Sequence, residues 1–119
     1  MIGHLLDIAR IRSGRTGRVS SYDVTGRNGD GWRIPAGESR VLADIAGPGV
    51  ITHIWMAQAE QYRHCLLKIT WDDAPHPSIL CPLGDFFGLG HSIVNSYQSL
   101  LFSASTSSNN QFERGCALN

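Results

Sequence analysis

Hydrophobic positions along this chain of 119 residues change their spacing from helical to strand-like. Between residues 3 and 11, Leu5, Leu6, Ile8 and Ile11 recur at helical intervals. Ser13-Gly14 then supplies a stop, so one short amphipathic N-terminal helix is expected. A polar Arg/Gly/Ser stretch and a loop from Tyr22 to Gly31 follow. Glu38 to Ile45 is a β-favouring run broken at Ala46-Gly47-Pro48-Gly49, and Val50 to Met56 is dense in β-branched and aromatic residues. The next segment alternates: Cys65, Leu67, Ile69 and Trp71 share one face, and His64, Leu66, Lys68 and Thr70 the other. That pattern makes Trp71 a core residue. Asp72-Asp73-Ala74-Pro75 ends it, with the two aspartates forming a turn. Pro77 to Leu83 is flanked by prolines and predicts an edge or bulged strand; Tyr97 to Ala104 predicts another.

Short strands separated by turn signals about every ten residues indicate antiparallel sheets in a sandwich or barrel. The chain shows no internal repeat and no linker, so residues 1–119 are expected to form a single domain. The polar run from Ser103 to Gln111 and the apolar segment opening at Gly115 leave roughly five strands with exposed edges. The expectation is therefore an N-terminal piece of something longer.

Composition narrows the classes. With 42% apolar residues, the length supports one modest core. Ten basic and ten acidic residues cancel, so no net field favours nucleic acid or anionic lipid. The arginines Arg10, Arg12, Arg15, Arg18, Arg27, Arg33 and Arg40 lack interleaved aromatics and read as a solvated face. No apolar run is long enough for a membrane span. Asp7 interrupts the N-terminal apolar cluster, and no small-residue cleavage site follows, which argues against a signal peptide. Cys65, Cys81 and Cys116 lack metal-type spacing. They read as reduced core thiols and favour a cytoplasmic location. The five histidines are scattered, and neither a metal nor a cofactor is expected.

Candidate chemistry gathers in two glycine-framed segments, Ser20 to Asp30 and Gly84-Asp85-Phe86-Phe87-Gly88. Glycine permits sharp turns and close backbone approach, and carboxylates, amides and aromatic faces on such turns suit a neutral polyhydroxyl ligand. The same residues also build ordinary tight turns, in which aspartate caps its own backbone. Asp23, Asp30 and Asp85 are the better ligand candidates among the carboxylates, through charge-assisted hydrogen bonds to sugar hydroxyls. Trp32, Trp55, Trp71, Tyr22, Phe86 and Phe87 supply stacking faces. In an extended chain Phe86 and Phe87 would point to opposite sides, one inward and one toward a cleft. No phosphate loop and no Ser-His-Asp arrangement is present. From the residues alone the reading is a polyhydroxyl-binding β domain.

Five ordered motifs resemble glycoside hydrolase family 172. They are Ser20-Ser21-Tyr22-Asp23-x-Thr25-Gly26-x-Asn28-x-Asp30, Ile34-Pro35-Ala36-Gly37-Glu38, Gly47-Pro48-Gly49-Val50-Ile51-x-x-Ile54-Trp55, Pro82-Leu83-Gly84-Asp85-Phe86-Phe87-Gly88 and Ala117-Leu118-Asn119. The resemblance implies an all-β antiparallel jelly-roll sandwich, the first part of a double jelly roll, assembled as a trimer or hexamer. It implies a retaining glycosidase acting on α-linked furanosides, either fructofuranosides or D-arabinofuranosides, whose catalytic glutamates lie downstream of Asn119. No catalytic role therefore falls on this chain. By the same resemblance, Tyr22, Asp23, Asn28, Asp30, Asp85 and Phe86 bind or brace a furanose-containing oligosaccharide. Val24 stands where the family commonly has arginine, and Arg27 where glycine is common; a glycine-like positive φ at Arg27 would be strained. The rival readings are a non-catalytic sugar-binding jelly roll and a capsid-like structural subunit.

Overall fold

The computed structural model describes residues 10, 11, 13–57, 63–106 and 114–118. The expected N-terminal helix lies outside them. The described residues are mostly strand and loop with little helix, in keeping with an all-β chain. None of their helices is long and apolar enough to cross a membrane. The chain divides into two compact units, Met1–Pro48 and Gly49–Asn119.

In the first unit the described residues form loops and turns without helix or strand. Pro35-Ala36-Gly37-Glu38 closes as a β-turn through a 3.1 Å bond from the Glu38 amide to the Pro35 carbonyl. Gly37 takes φ +80, the left-handed value that the third position of a type II turn demands. The Arg40 guanidinium stacks 4.3 Å from the centroid of the Trp32 ring, which occupies one aromatic face. Glu38 to Ile45 is not a strand, contrary to its composition. Propensity describes side chains on a pleated surface, but a strand also needs a neighbour to take its amides and carbonyls. This run has no such ladder, and only Leu42 in it is half-buried.

Among its described residues the second unit carries six strands, one short α-helical turn and a 3-10 turn at Gly90–Ser92. β1 (Ile54–Ala57), β4 (Tyr97–Gln98), β5 (Phe102–Thr106) and β6 (Arg114–Leu118) form one antiparallel sheet in the order β1-β6-β5-β4. β2 (Leu66–Ile69) and β3 (Ile79–Pro82) form a separate antiparallel pair. Alternation sets the faces of β2 as expected: Leu67 is buried and Ile69 half-buried, while Leu66 and Lys68 face out. Trp71 departs from that pattern and is 47% exposed. The ladder stops at Ile69, so alternation no longer fixes a face two residues later. There Asp72 and Asp73 take φ 52 and 54, and the Ala74 amide bonds the Trp71 carbonyl at 3.0 Å. Two successive left-handed residues make a type I′ turn.

β3 runs directly into α1 (Leu83–Phe86), whose first amide, Leu83, bonds the Cys65 carbonyl at 2.8 Å. The core consists of Phe87, Leu89 and Ala104. Ile54 and Met56 from β1, Tyr97, Phe102, Val94, Leu83 and Phe86 pack against it. Phe86 and Phe87 therefore do not split between core and cleft. They lie on a helical turn and its cap, not an extended chain, and meet edge to face at 5.1 Å. Phe86 makes a second edge contact with Phe102 at 5.9 Å.

Candidate functional site

The loop from Ser21 to Gly31 is organised by the Asp23 carboxylate. Its Oδ1 accepts from the Thr25 amide at 2.8 Å and the Thr25 hydroxyl at 2.7 Å. Its Oδ2 accepts from the Arg27 amide at 3.1 Å and the Gly29 amide at 3.0 Å. A carboxylate offers about four acceptor positions, so this one is fully committed to its own loop. Stabilising the charged form lowers a carboxyl pKa, and here it falls from 3.8 to about 2, chiefly through the Thr25 hydroxyl and then the Thr25 and Gly29 amides. A group so acidic is a poor proton acceptor near neutral pH. Asp23 is thus a brace.

Asp30 closes the loop from the other side, its Oδ1 accepting from the Asp23 amide at 2.7 Å, while the Gly31 amide bonds the Ser21 carbonyl at 3.0 Å. The left-handed conformations that the loop needs fall on Gly26 (φ 72) and Asn28 (φ 58). Arg27 is not among the residues of positive φ, so the replacement of glycine there carries no backbone strain. Asparagine is one of the few side chains that adopts this region readily. At Gly29 an added Cβ would sit 3.2 Å from Asp23 Oδ2. The groups left over are the Tyr22 ring and hydroxyl, the Asn28 amide and Asp30 Oδ2. All three residues are exposed, and among the described residues none of these groups has a partner.

The second glycine-framed segment is a helix ending. The Leu89 amide bonds the Gly84 carbonyl at 2.8 Å, and the Gly88 amide bonds the Asp85 carbonyl at 3.0 Å. Gly88 takes φ 76. This is a Schellman cap, in which a left-handed residue after the last turn satisfies carbonyls that would otherwise be orphaned. Its usual apolar contact is present too, since Leu89 is buried with Leu83 packed on the same cluster. The Tyr97 hydroxyl donates to the Phe87 carbonyl and locks the cap to β4.

Asp85 projects from this turn with its two oxygens in different surroundings. Oδ2 lies 3.4 Å from Arg63 Nη2, with the two side chains 31% and 44% exposed. Oδ1 is buried and accepts no hydrogen bond. A buried, unsatisfied carboxylate oxygen is costly unless a donor arrives. Phe86, by contrast, is engaged with Phe87 and Phe102 and supports the turn from inside. Among the described residues, no three His, Cys, Asp or Glu side chains are grouped to hold a metal ion.

The Tyr22, Asp23, Asn28 and Asp30 set falls in the first unit, and Asp85 with Phe86 in the second. Sequence reasoning missed Arg63 and Tyr97. Each acts on the helix turn from a distant position, and neither carries a local signal of that role. It also missed Arg18, which lines a cleft of about 270 Å³ with Ser20 and Tyr22.

No curated protein matches the chain. A family model described as GH172 domain-like matches residues 27–112. That span takes in the later part of the Asp23 loop, strands β1 to β5 and the whole of the Gly84–Gly88 cap. With more than half of its length matched, the chain belongs to the GH172-like family of glycoside hydrolases.

Proposed function

We propose that this chain supplies furanose-binding loops to a retaining glycosidase that cleaves α-linked fructofuranosides or D-arabinofuranosides. Its six strands, on this reading, begin the first sandwich of a double jelly roll. Retention needs two carboxyl groups about 5 to 5.5 Å apart. Of the three candidate carboxylates in the described loops, Asp23 is committed to its loop, Asp30 holds the Asp23 amide through one oxygen and Asp85 is ion-paired. On the resemblance to the family, the catalytic glutamates lie downstream of Asn119, in a cytoplasmic homo-oligomer, trimeric or hexameric, of the longer protein.

The observation that carries the reading is the division of labour in the Ser21–Gly31 loop. One carboxylate is spent on rigidity, and Tyr22, Asn28 and Asp30 are left with unpaired groups at the surface. Preorganised polar groups beside an aromatic ring are what a hydroxyl-rich ring needs for orientation at low entropic cost. Calorimetry with methyl α-D-arabinofuranoside and a fructofuranoside tests it on the chain itself. Binding is expected, weakened by Asn28→Ala and lost in Asp23→Ala, without turnover of p-nitrophenyl α-arabinofuranoside. Absence of binding to both sugars, or robust hydrolysis by this chain alone, overturns the proposal.

A further inference from the structure

The cleft formed by Arg18, Ser20 and Tyr22 has a chemistry that a neutral sugar does not require. The three residues sit at alternate positions, the spacing at which an extended chain turns side chains to the same side. Tyr22 is held on both flanks: the Ser21 carbonyl accepts from Gly31, and the Asp23 amide donates to Asp30. The residue is 65% exposed, and its ring offers a stacking face. Arg18 is exposed and makes no ion pair or hydrogen bond among the described residues. Arg63 and Arg40 are engaged, with Asp85 and Trp32 respectively, whereas Arg18 lines the cleft with no such contact among the described residues.

We infer that this cleft is a subsite for an acidic sugar, a furanoside bearing a carboxylate or phosphate group. Tyr22 stacks on the ring, Ser20 bonds a hydroxyl, and the Arg18 guanidinium takes the anionic group. A planar guanidinium presents paired N–H donors that match the two oxygens of such a group. The inference rests on the carbohydrate reading above and adds the charge of the substrate.

Titration calorimetry on the whole chain tests it with four probes: methyl α-D-arabinofuranoside, its 5-carboxylate, its 5-phosphate, and inorganic phosphate. The acidic sugars are expected to bind about tenfold more tightly than the neutral one, as a charge-assisted bond on an exposed site allows. That margin should vanish in Arg18→Gln, persist in part in Arg18→Lys, shrink at high salt and survive Arg27→Gln, which removes a nearby exposed cation. A preference for the carboxylate or for the phosphate identifies which acid is the natural group. Equal binding of neutral and acidic sugars overturns the inference and leaves the carbohydrate reading standing. Inorganic phosphate binding as tightly as the sugar phosphate, with no neutral sugar bound, overturns both.

Discussion

Replacing Gly88 by alanine tests the physical account of the Gly84–Gly88 turn. Two costs arise at that position. The residue sits at φ +76, where an L side chain costs about 1–2 kcal/mol. The new Cβ would also lie 2.6 Å from the Tyr97 hydroxyl and 3.3 Å from the ring carbon that bears it. The tyrosine ring is half-buried against the core, so it moves only by giving up its bond to the Phe87 carbonyl. Leaving that carbonyl unsatisfied adds about 1–3 kcal/mol. The sum, about 2–5 kcal/mol, is a large share of the roughly 5–15 kcal/mol typical of a folded chain. Urea unfolding followed by near-ultraviolet circular dichroism should record it. Tyr97→Phe alone should cost only the hydrogen bond. The double variant should cost less than the two single changes added together, because removing the hydroxyl relieves the closest contact. A Gly88→Ala protein within about 0.5 kcal/mol of wild type, the size of an ordinary surface change, would refute the reasoning. Strict additivity with Tyr97→Phe would refute the steric half of it.

Two further outcomes follow from the loops. The folded Asp23 carboxyl titrates at about 2, below its ordinary 3.8, so its contribution is present above the unfolded value and lost as pH falls from there through about 2. Carbon-detected NMR should show that titration midpoint together with loss of protection at the Thr25, Arg27 and Gly29 amides; a midpoint near 3.8 would contradict the four bonds. At the Asp72-Asp73 turn, Asp73→Gly should leave stability unchanged or slightly raised, whereas Asp73→Val should cost roughly 1–2 kcal/mol because a β-branched residue resists the left-handed region. Equal urea midpoints for the two variants would show that this turn relaxes.

Local pattern made part of the fold legible. Alternation located β2 and its buried Leu67, paired aspartates marked the turn after it, and the strand-rich character of the region after Pro48 followed from composition. Pattern failed wherever a distant partner decides the outcome. Glu38 to Ile45 has the side chains of a strand but pairs with no strand among the described residues. Trp71 continues an alternation past the end of its ladder. Gly84 and Gly88 read as loop hinges, yet Gly88 caps a helix whose lock, Tyr97, comes from β4. In the candidate site the acidic and amide residues were visible, but their roles were not. Asp23 and Asp30 look alike in sequence; only the bond network distinguishes the carboxylate that accepts four donors from the one that keeps an oxygen free.

The placement of β6 between β1 and β5 bears on how the protein is made. As the polypeptide leaves the ribosome, Ile54–Ala57 emerges long before Arg114–Leu118, its one neighbour in the sheet among the described residues. At translation speeds of about 5–20 residues per second, β1 waits several seconds with an open edge. Nascent molecules in that interval offer a template for wrong pairing, so shielding by chaperones during synthesis matters more here than in a sheet built from consecutive hairpins.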